Sequence, residues 1–328
     1  MKRIVTKIAF FLGFSALFTR CGTDPVKPSG VIFKMPERRS VLLPNGETYA
    51  YFEQGAELQS EDNTFLLIHG NMASSMHMLP LFWRMNDVYL VAPDLRGFGN
   101  SSYNAGFDSL DALTEDLKLF TEKIGISKVH IVGWSLGGGI ALAFAARYPA
   151  MVASLFIIEG MSHKGLPFFK SGPGGTFIPY ESKEEYRNVY PLSAQLAAIE
   201  SKDSGYFEQS WNSFIYPVKK PTAAESRYNL SETLKQRSLA DVYWALAWFN
   251  MSAVNNGYTD GSGTVGSITC PVAFTCADRD MVILPAVIRD NAAAIPGSEI
   301  LEYANCGHSP LVDCPDRLAA DILKHSGL

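Results

Sequence analysis

The chain has 328 residues, of which 47% are hydrophobic and 19% charged, a composition typical of a packed globular protein and unlike that of a disordered or multi-span membrane protein. Its 28 Lys and Arg against 33 Asp and Glu give a formal charge of −5 without a basic block, so nucleic acid is excluded as an expected partner. The length suits one large α/β domain that carries an insertion.

The first 30 residues (1–30) have the layout of an export signal followed by a linker. Three basic residues within the first seven positions precede an apolar run over residues 8–18, which is shorter than the roughly 20 residues needed to span a bilayer. Cys21 and the Gly-Thr-Asp-Pro after it resemble the start of a bacterial lipoprotein, although Arg20 replaces the small residue expected there. A mitochondrial-type presequence and an uncleaved apolar tail are the alternatives. We expect an exported protein, secreted, periplasmic or lipid-anchored at Cys21, whose membrane contact would be that anchor alone.

After the linker, short β-branched and aromatic runs alternate with longer helical patterns, which predicts βαβ units on a mostly parallel sheet. The predicted strands are 39–43, 48–53, 64–68, 88–91, 129–132, 154–158, 272–275 and 299–303. The predicted helices of this core are 110–124, 136–148 and 315–324. The first two strands flank Pro44-Asn45-Gly46 and should pair antiparallel, whereas the next four have the dense apolar character of buried parallel strands. The predicted fold class is α/β, with helices on both faces of the sheet.

The alternation stops after the sixth predicted strand. Residues 161–265 show no parallel-strand signal, and a stretch rich in glycine and proline gives way to aromatic helical patterns. We predict that residues 161–265 form a mainly helical cap inserted into a core whose two parts are residues 31–160 and 266–328.

The strongest chemical signal is the sequence Gly-Trp-Ser-Leu-Gly at residues 133–137. It follows an apolar strand and precedes a helix, the elbow that exposes a serine nucleophile at the carboxyl edge of a sheet. A purely structural turn is the alternative reading of these five residues. The strand and helix on either side favour Ser135 as a nucleophile.

A serine nucleophile needs a base and an acid that orients it. His308 lies between the last predicted strand and the final helix, where a loop could bring its imidazole over Ser135, whereas the other histidines have surroundings typical of structural residues. Asp280 follows the strand 272–275 and is the predicted acid. Asp278 and Glu159 remain alternatives, the first because it lies in the same loop and the second because it ends the strand before the insertion.

The charge that develops on an attacked carbonyl oxygen needs backbone N–H donors. One predicted donor is Leu136, directly after the nucleophile. The other is expected in the turn that follows the strand 64–68, where the sequence reads His-Gly-Asn-Met, and Asn71 is the predicted donor. His69 in the same turn is predicted to be a structural hydrogen-bonding residue.

Taken together, these motifs resemble those of α/β-hydrolase-fold enzymes, and the resemblance covers residues 38–328. The turn at 69–71, the Asp-Leu-Arg-Gly-Phe-Gly-Asn-Ser loop at 94–101, the serine elbow, the loop of Asp280 and the loop of His308 occur in the family's order. One departure is Cys-Ala at 276–277, where relatives often have Trp-Gly. A narrower resemblance, through Gly-Trp-Ser-Leu-Gly-Gly and residues 211–216, is to bacterial hydrolases that act on 3-hydroxybutyrate oligomers or polymers.

The resemblance implies a serine hydrolase that acts through an acyl-enzyme on a carboxylic ester, lactone or thioester. A serine rather than an aspartate at the elbow argues against epoxide opening and halide displacement. Alternatives are a carbon–carbon bond hydrolase, a cofactor-free haloperoxidase-like relative, or a slow hydrolase-like protein that binds a ligand. No phosphate-binding, dinucleotide-binding or metal-ligand motif is present in the sequence, so no cofactor and no metal is expected.

The predicted partner is a small to medium hydrophobic ester-like molecule, and the oligomeric state stays open. We expect aromatic side chains of the elbow and of the cap to line its pocket. These are Trp134, Trp211, Phe214, Tyr216, Tyr243 and Trp248. The alternative for residues 238–249 is that this apolar stretch only packs on the core.

Overall fold

The computed structural model describes residues 35–328. The export-signal expectation for residues 1–30, with its lipidation site at Cys21, lies outside the described residues and stays a prediction. Within residues 35–328 no helix combines the length and the apolar character needed to cross a membrane.

One eight-stranded sheet forms the centre of the described chain. Its strands are β1 (Glu37–Leu42), β2 (Thr48–Gln54), β3 (Thr64–Ile68), β4 (Tyr89–Pro93), β5 (Val129–Trp134), β6 (Val152–Ile158), β9 (Val272–Ala277) and β10 (Glu299–Tyr303), and two further short strands, β7 (Phe169–Ser171) and β8 (Phe177–Pro179), pair with each other. The order in the large sheet is β1-β2-β4-β3-β5-β6-β9-β10, with β1 and β2 antiparallel to their neighbours and the rest parallel. The α/β fold with a mostly parallel sheet is confirmed.

Alternate side chains of each central strand enter two different cores, because successive residues of a strand point to opposite faces. In β3, Leu66 and Ile68 join one buried cluster, whereas Phe65 and Leu67 join the other. The helices that cover these faces are α1 (Leu79–Phe82), α2 (Leu110–Lys123), α3 (Leu136–Arg147), α9 (Pro285–Ala293), α10 (Pro310–Asp313) and α11 (Pro315–His325). Helices α2 and α3 cover the face of Leu66, and α1 and α11 cover the face of Phe65. The central strands of the sheet are therefore buried on both faces, as their apolar sequences predict, whereas the edge strand β1 is largely exposed.

Residues 161–265, which we term the intervening segment, separate β6 from β9. The segment contains the hairpin β7–β8 and five helices, α4 (Lys183–Arg187), α5 (Leu192–Glu200), α6 (Ser204–Phe214), α7 (Ala223–Thr233) and α8 (Leu239–Trp248). The hairpin adds two antiparallel strands to the helices expected there. Val242 and Leu246 of α8 pack into the core that contains α2 and α3, whereas Leu239 and Tyr243 join a smaller cluster within the segment. Helix α8 thus packs on the core with one face and on other helices of the segment with another.

Candidate active site

Five side chains or backbone groups of interest follow five neighbouring parallel strands. Asn71 comes after β3, Ser135 after β5, Glu159 after β6, Asp280 after β9 and His308 after β10. Because the strands are parallel, their carboxyl ends share one edge of the sheet, where crevices of α/β proteins form. The topology therefore brings the residues predicted from the sequence to a single edge.

Ser135 has a strained backbone, with φ 54° and ψ −114°, between the end of β5 and the start of α3. A non-glycine residue with positive φ persists only where its surroundings hold it there. The Ser135 N–H donates to the carbonyl of Ile158 at 3.0 Å, and the Ser135 carbonyl accepts from the N–H groups of Gly138 at 2.9 Å and Met161 at 3.1 Å. Three backbone hydrogen bonds thus fix the serine in the geometry of the predicted elbow.

The two glycines of the elbow allow backbones to approach more closely than any side chain permits. A Cβ on Gly133 would lie 2.4 Å from the Gly137 carbonyl oxygen, and a Cβ on Gly137 would lie 2.3 Å from the carbonyl oxygen of Ile68. Contacts that short require backbone displacement. The glycine spacing in the sequence is therefore a steric requirement of this turn.

His308 and Asp280 form a buried hydrogen-bonded pair. The His308 Nδ1–H donates to Asp280 Oδ2 at 2.7 Å, and the N–H groups of Val282 and Ile283 donate to Asp280 Oδ1 at 2.7 and 2.9 Å. With both carboxylate oxygens engaged, the imidazole is held in the tautomer that leaves Nε2 free to exchange a proton. In the described residues no protein hydrogen bond uses His308 Nε2 or Ser135 Oγ.

Asp278 holds the backbone of the loop instead of the imidazole. Its Oδ1 accepts from the N–H of Cys306 at 3.1 Å, and hydrogen bonds from the N–H groups of Asn305 and Cys306 lower the pKa of its carboxyl group. Of the two aspartates in this loop, Asp280 is the one hydrogen-bonded to His308.

Trp134 joins the serine elbow to the histidine loop. Its indole Nε1–H donates to the carbonyl oxygen of His308 at 2.8 Å, and its ring centroid lies 5.8 Å from that of His308. The side chain is only 2% exposed. The residue next to the predicted nucleophile therefore anchors the backbone of the predicted base, a contact that the sequence pattern did not indicate.

Gln236, from the connection between α7 and α8, holds the turn of Asn71 and Met72. Its Nε2 donates to Asn71 Oδ1 at 2.9 Å, and its Oε1 accepts from the Met72 N–H at 3.0 Å. Thr233 Oγ1 donates to the Met72 carbonyl at 2.7 Å. The Met72 N–H is thereby engaged, whereas the Asn71 N–H has no protein acceptor within residues 35–328. Together with the Leu136 N–H at the start of α3, it can receive a negatively charged oxygen.

Glu159 adjoins the Asp280 carboxyl group, and within residues 35–328 no hydrogen bond joins it to His308. Its Oε1 accepts from Thr275 Oγ1 at 2.7 Å and from the Ala277 N–H at 3.0 Å. Burial, reinforced by the negative charge of Asp280, raises the pKa of Glu159 well above its ordinary value. The Glu159 carboxyl group therefore favours its neutral form, which suits a neighbour of the acid better than the acid itself.

We expect Glu159→Gln to change the pH dependence of thermal stability. A raised pKa means that the folded protein keeps a proton which the unfolded chain releases above its ordinary value of about 4.5, so the wild type loses stability as pH rises from there. Glutamine is neutral throughout. The melting temperature of the variant relative to the wild type should therefore increase as the pH rises above about 5. Glu208→Gln, on the exposed surface of α6, is the control. If the melting temperatures of Glu159→Gln and of the wild type changed equally with pH, the raised pKa of Glu159 would be contradicted.

The predicted aromatic pocket residues fall into different surroundings. Trp211 and Tyr216 are buried, and the Trp211 ring lies 6.4 Å from that of Trp134. Phe214, the last residue of α6, is half-buried. Tyr243 is buried with Leu239 in the cluster of the intervening segment, to which Met72 also packs. Trp248 is 42% exposed, and its ring contacts are with Trp244 and Tyr258, so the structure does not bring it to the serine elbow.

The remaining motif residues act structurally. His69 Nε2 accepts from the Leu95 N–H at 3.0 Å, and Asp94 Oδ1 accepts from the N–H and hydroxyl of Ser75 at 2.8 and 2.6 Å. Arg96 donates to both oxygens of the buried Asp116. Across residues 35–328, no three His, Cys, Asp or Glu side chains are grouped so that they could hold a metal ion.

A family model described as the alpha/beta hydrolase fold matches residues 63–315. The chain belongs to the α/β-hydrolase fold family. Lipase 1 of Psychrobacter immobilis is 25% identical to it over 291 residues, 86% of this chain and 82% of the lipase. A solved membrane phospholipase A, described as a bacterial virulence factor, is 26% identical with a TM-score of 0.63, over 88% of this chain and 85% of that one. A thermophilic esterase from Thermogutta terrifontis shares the fold with a TM-score of 0.64 at 20% identity, over 88% and 97% of the two chains.

In this α/β hydrolase, two contacts at the candidate site had no signal in the sequence. Gln236 lies 165 residues from Asn71 and belongs to no motif, and the Trp134 indole meets a carbonyl 174 residues away. Neither local periodicity nor residue spacing carries information on such contacts. Only the folded backbone reveals them.

Proposed function

We propose that this α/β hydrolase is a serine hydrolase that cleaves carboxylic esters of small to medium hydrophobic molecules through a Ser-His-Asp triad. The observation that carries the proposal is the buried hydrogen bond of 2.7 Å between His308 and Asp280, at the sheet edge where Ser135 lies in its strained turn. The lipase, phospholipase and esterase relatives support hydrolysis of an ester. The serine nucleophile and the kind of ester are proposed from the residues.

In the proposed mechanism, Ser135 Oγ attacks the ester carbonyl carbon while His308 Nε2 takes the hydroxyl proton. Asp280 stabilises the imidazolium that forms, and the N–H groups of Asn71 and Leu136 stabilise the oxyanion. The tetrahedral intermediate collapses, and His308 returns the proton to the departing alcohol. Water, activated by His308, then attacks the acyl-enzyme and releases the carboxylic acid. Each step uses groups at the same edge of the sheet.

A panel of substrates tests the reaction class. A p-nitrophenyl ester, a thioester, a lactone and a vinylogous 1,5-diketone should be offered to the purified protein at equal concentrations. We expect the ester to give the highest kcat/KM. Cleavage of the diketone alone would instead favour carbon–carbon hydrolysis. Binding of a hydrophobic ester without turnover would favour a ligand-binding protein.

The intervening segment provides the apolar surroundings expected of a binding pocket. The half-buried side chain of Met72, next to Asn71, packs against one cluster that contains Trp134 and Trp211 and against another that contains Tyr243. A substrate whose carbonyl oxygen meets the Asn71 N–H would direct its apolar part towards these rings. We propose that the segment acts as the cap that selects the acyl chain.

We predict that kcat/KM on p-nitrophenyl esters rises from acetate to about butyrate or hexanoate and then falls. Each buried methylene contributes about 0.8 kcal/mol, or about fourfold, until the pocket is full. Tyr243→Ala and Trp211→Ala should move the optimum to longer chains by about one or two methylenes. Trp248→Ala tests the sequence expectation for that exposed ring, and we expect a smaller shift there. Tyr228→Ala, exposed on α7, is the control. An unchanged optimum and rate in both Tyr243→Ala and Trp211→Ala would exclude the cap from substrate selection.

Gln236→Ala should lower kcat about tenfold with little change in KM. Loss of one direct oxyanion donor costs about 10²- to 10³-fold, and Gln236 acts only by holding the turn of Asn71, so its effect should be smaller. The measurement is steady-state hydrolysis of p-nitrophenyl butyrate. Gln209→Ala, an exposed glutamine of α6, is the matched control. A higher KM at unchanged kcat would assign Gln236 to substrate binding instead.

A further inference from the structure

Two thiols flank the histidine loop and touch each other. Cys306 Sγ and Cys314 Sγ are 3.5 Å apart, with His308 between them in the sequence. Cys306 is buried and Cys314 is half-buried. A disulfide has an S–S bond of about 2.05 Å, so each sulfur would need to move by less than about 1 Å. The two sulfur atoms are therefore close enough to form a disulfide without a rearrangement of the core.

The two thiols differ in reactivity. A hydrogen bond from Cys306 lowers the pKa of Cys314, whereas that bond and burial raise the pKa of Cys306. Cys314 also immediately precedes the 11-residue helix α11, whose N-terminal dipole favours a thiolate. Cys314 is thus suited to attack an external oxidant, and Cys306 is suited to resolve the product.

A general base lies next to the resolving thiol. Cys306 Sγ is 3.7 Å from Asp313 Oδ2, and burial raises the pKa of the Asp313 carboxyl group. The same Oδ2 accepts from the Gly307 N–H at 2.7 Å, so Asp313 touches the backbone next to His308 as well. Asp313 therefore contacts both the thiol from which it would take a proton and the backbone of the loop that carries His308.

We propose that Cys306 and Cys314 are a redox-active pair, and that their oxidation to a disulfide cross-links the two ends of the loop that carries His308. The Cys314 thiolate attacks one sulfur of a low-molecular-weight disulfide and releases one thiolate. Cys306 then passes its proton to Asp313, and the Cys306 sulfur attacks the Cys314 sulfur. This attack expels the second low-molecular-weight thiolate, which takes the proton from Asp313. Two protein thiols thus lose two electrons and two protons, and the external disulfide is reduced to two thiols.

The disulfide would restrict the unfolded chain around His308 and leave the folded loop in place. The oxidised protein should therefore melt at a temperature higher by roughly 3 to 8 °C than the reduced protein. If the proposed hydrolase function holds, ester turnover should also persist to a higher temperature after oxidation. Only this last expectation rests on the proposed function.

Peptide mapping in glutathione redox buffers tests the pair without any activity assay. The full chain is equilibrated with oxidised and reduced glutathione, quenched with acid, unfolded, alkylated and digested with trypsin, which places Cys306 and Cys314 in the peptide 290–317. We expect this peptide to lose both alkylation sites together, with the loss of two hydrogens, while Cys270 and Cys276 stay alkylated. The melting-temperature difference should vanish in Cys314→Ser and persist in Cys270→Ser.

Cys306→Ser provides a second readout that does not depend on stability. Without the resolving thiol, the oxidant should remain attached to Cys314 as a stable glutathione adduct. Full alkylation of the wild-type peptide in oxidising buffer, or a lasting adduct on wild-type Cys314, would overturn the proposal. An inactive hydrolase with the expected disulfide would overturn the proposed function and leave this inference standing.

Discussion

Ser135→Ala should lower ester turnover by roughly 10⁴- to 10⁶-fold and leave the protein folded. Alanine removes the hydroxyl that would attack the carbonyl and keeps the three backbone hydrogen bonds that fix the elbow. Because those bonds use only main-chain atoms, the melting temperature should stay close to that of the wild type. The measurement is hydrolysis of p-nitrophenyl butyrate, together with labelling by a fluorophosphonate probe.

The wild type should take up one probe molecule at Ser135, and the variant should take up none. Ser127→Ala is the matched control, since Ser127 precedes β5 and Ser135 follows it, which puts the two serines at opposite edges of the sheet. Labelling of Ser135→Ala at another serine, with turnover retained, would remove the nucleophile from this elbow.

Asp280→Asn should lower kcat/KM by about 10³- to 10⁴-fold, far more than Asp278→Asn. An amide in place of the Asp280 carboxylate can donate to His308 Nδ1, which favours the tautomer with the proton on Nε2, where it cannot accept the serine proton. Asp278 accepts hydrogen bonds from the backbone N–H groups of Asn305 and Cys306 and does not hold the imidazole, so its substitution should cost less than about tenfold. Steady-state kinetics on one ester, with circular dichroism as a check on folding, distinguishes the two.

Glu159→Gln completes this comparison. Its side chain accepts from Thr275 and from the backbone of Ala277 and adjoins Asp280, but it has no hydrogen bond to His308, so kcat/KM should change less than in Asp280→Asn. If Glu159→Gln instead had the largest effect of the three variants, the acid would belong to the end of β6. The pH-dependent stability expected of Glu159→Gln is a separate measurement and does not depend on turnover.

The central strands of the sheet were predictable because they are short runs rich in apolar residues, such as Thr64–Ile68 and Tyr89–Pro93. Thr64–Ile68 and Glu299–Tyr303 begin and end at the predicted residues. The fourth strand runs over Tyr89–Pro93 instead of 88–91, since its end is set by antiparallel pairing of Pro93 with Tyr51 of β2. Strand limits set by a partner are not encoded in the strand's own sequence.

The intervening segment was less predictable. Its helical character follows from the aromatic periodicity of stretches such as α8, but the hairpin β7–β8 has strands of only three residues joined by a glycine-rich turn, too short for an alternating pattern. The same limit applies to the site. Motif spacing indicated the loops of Ser135 and His308, whereas the hold of Gln236 on the turn of Met72 connects residues 164 apart.

If the proposed function holds, the contacts of Thr233 and Gln236 with Met72 link the position of α7 to the turn that carries the proposed oxyanion donor. Thr233, the last residue of α7, donates to the Met72 carbonyl. Gln236, in the connection after α7, accepts from the Met72 N–H. A displacement of α7 away from this turn would break the Thr233 contact and loosen the backbone beside Asn71. An open conformation would then have no oriented oxyanion donor at that position, whereas a closed one would. In such a hydrolase, a substrate that kept α7 displaced would bind without being turned over, so selection would act after binding as well as during it.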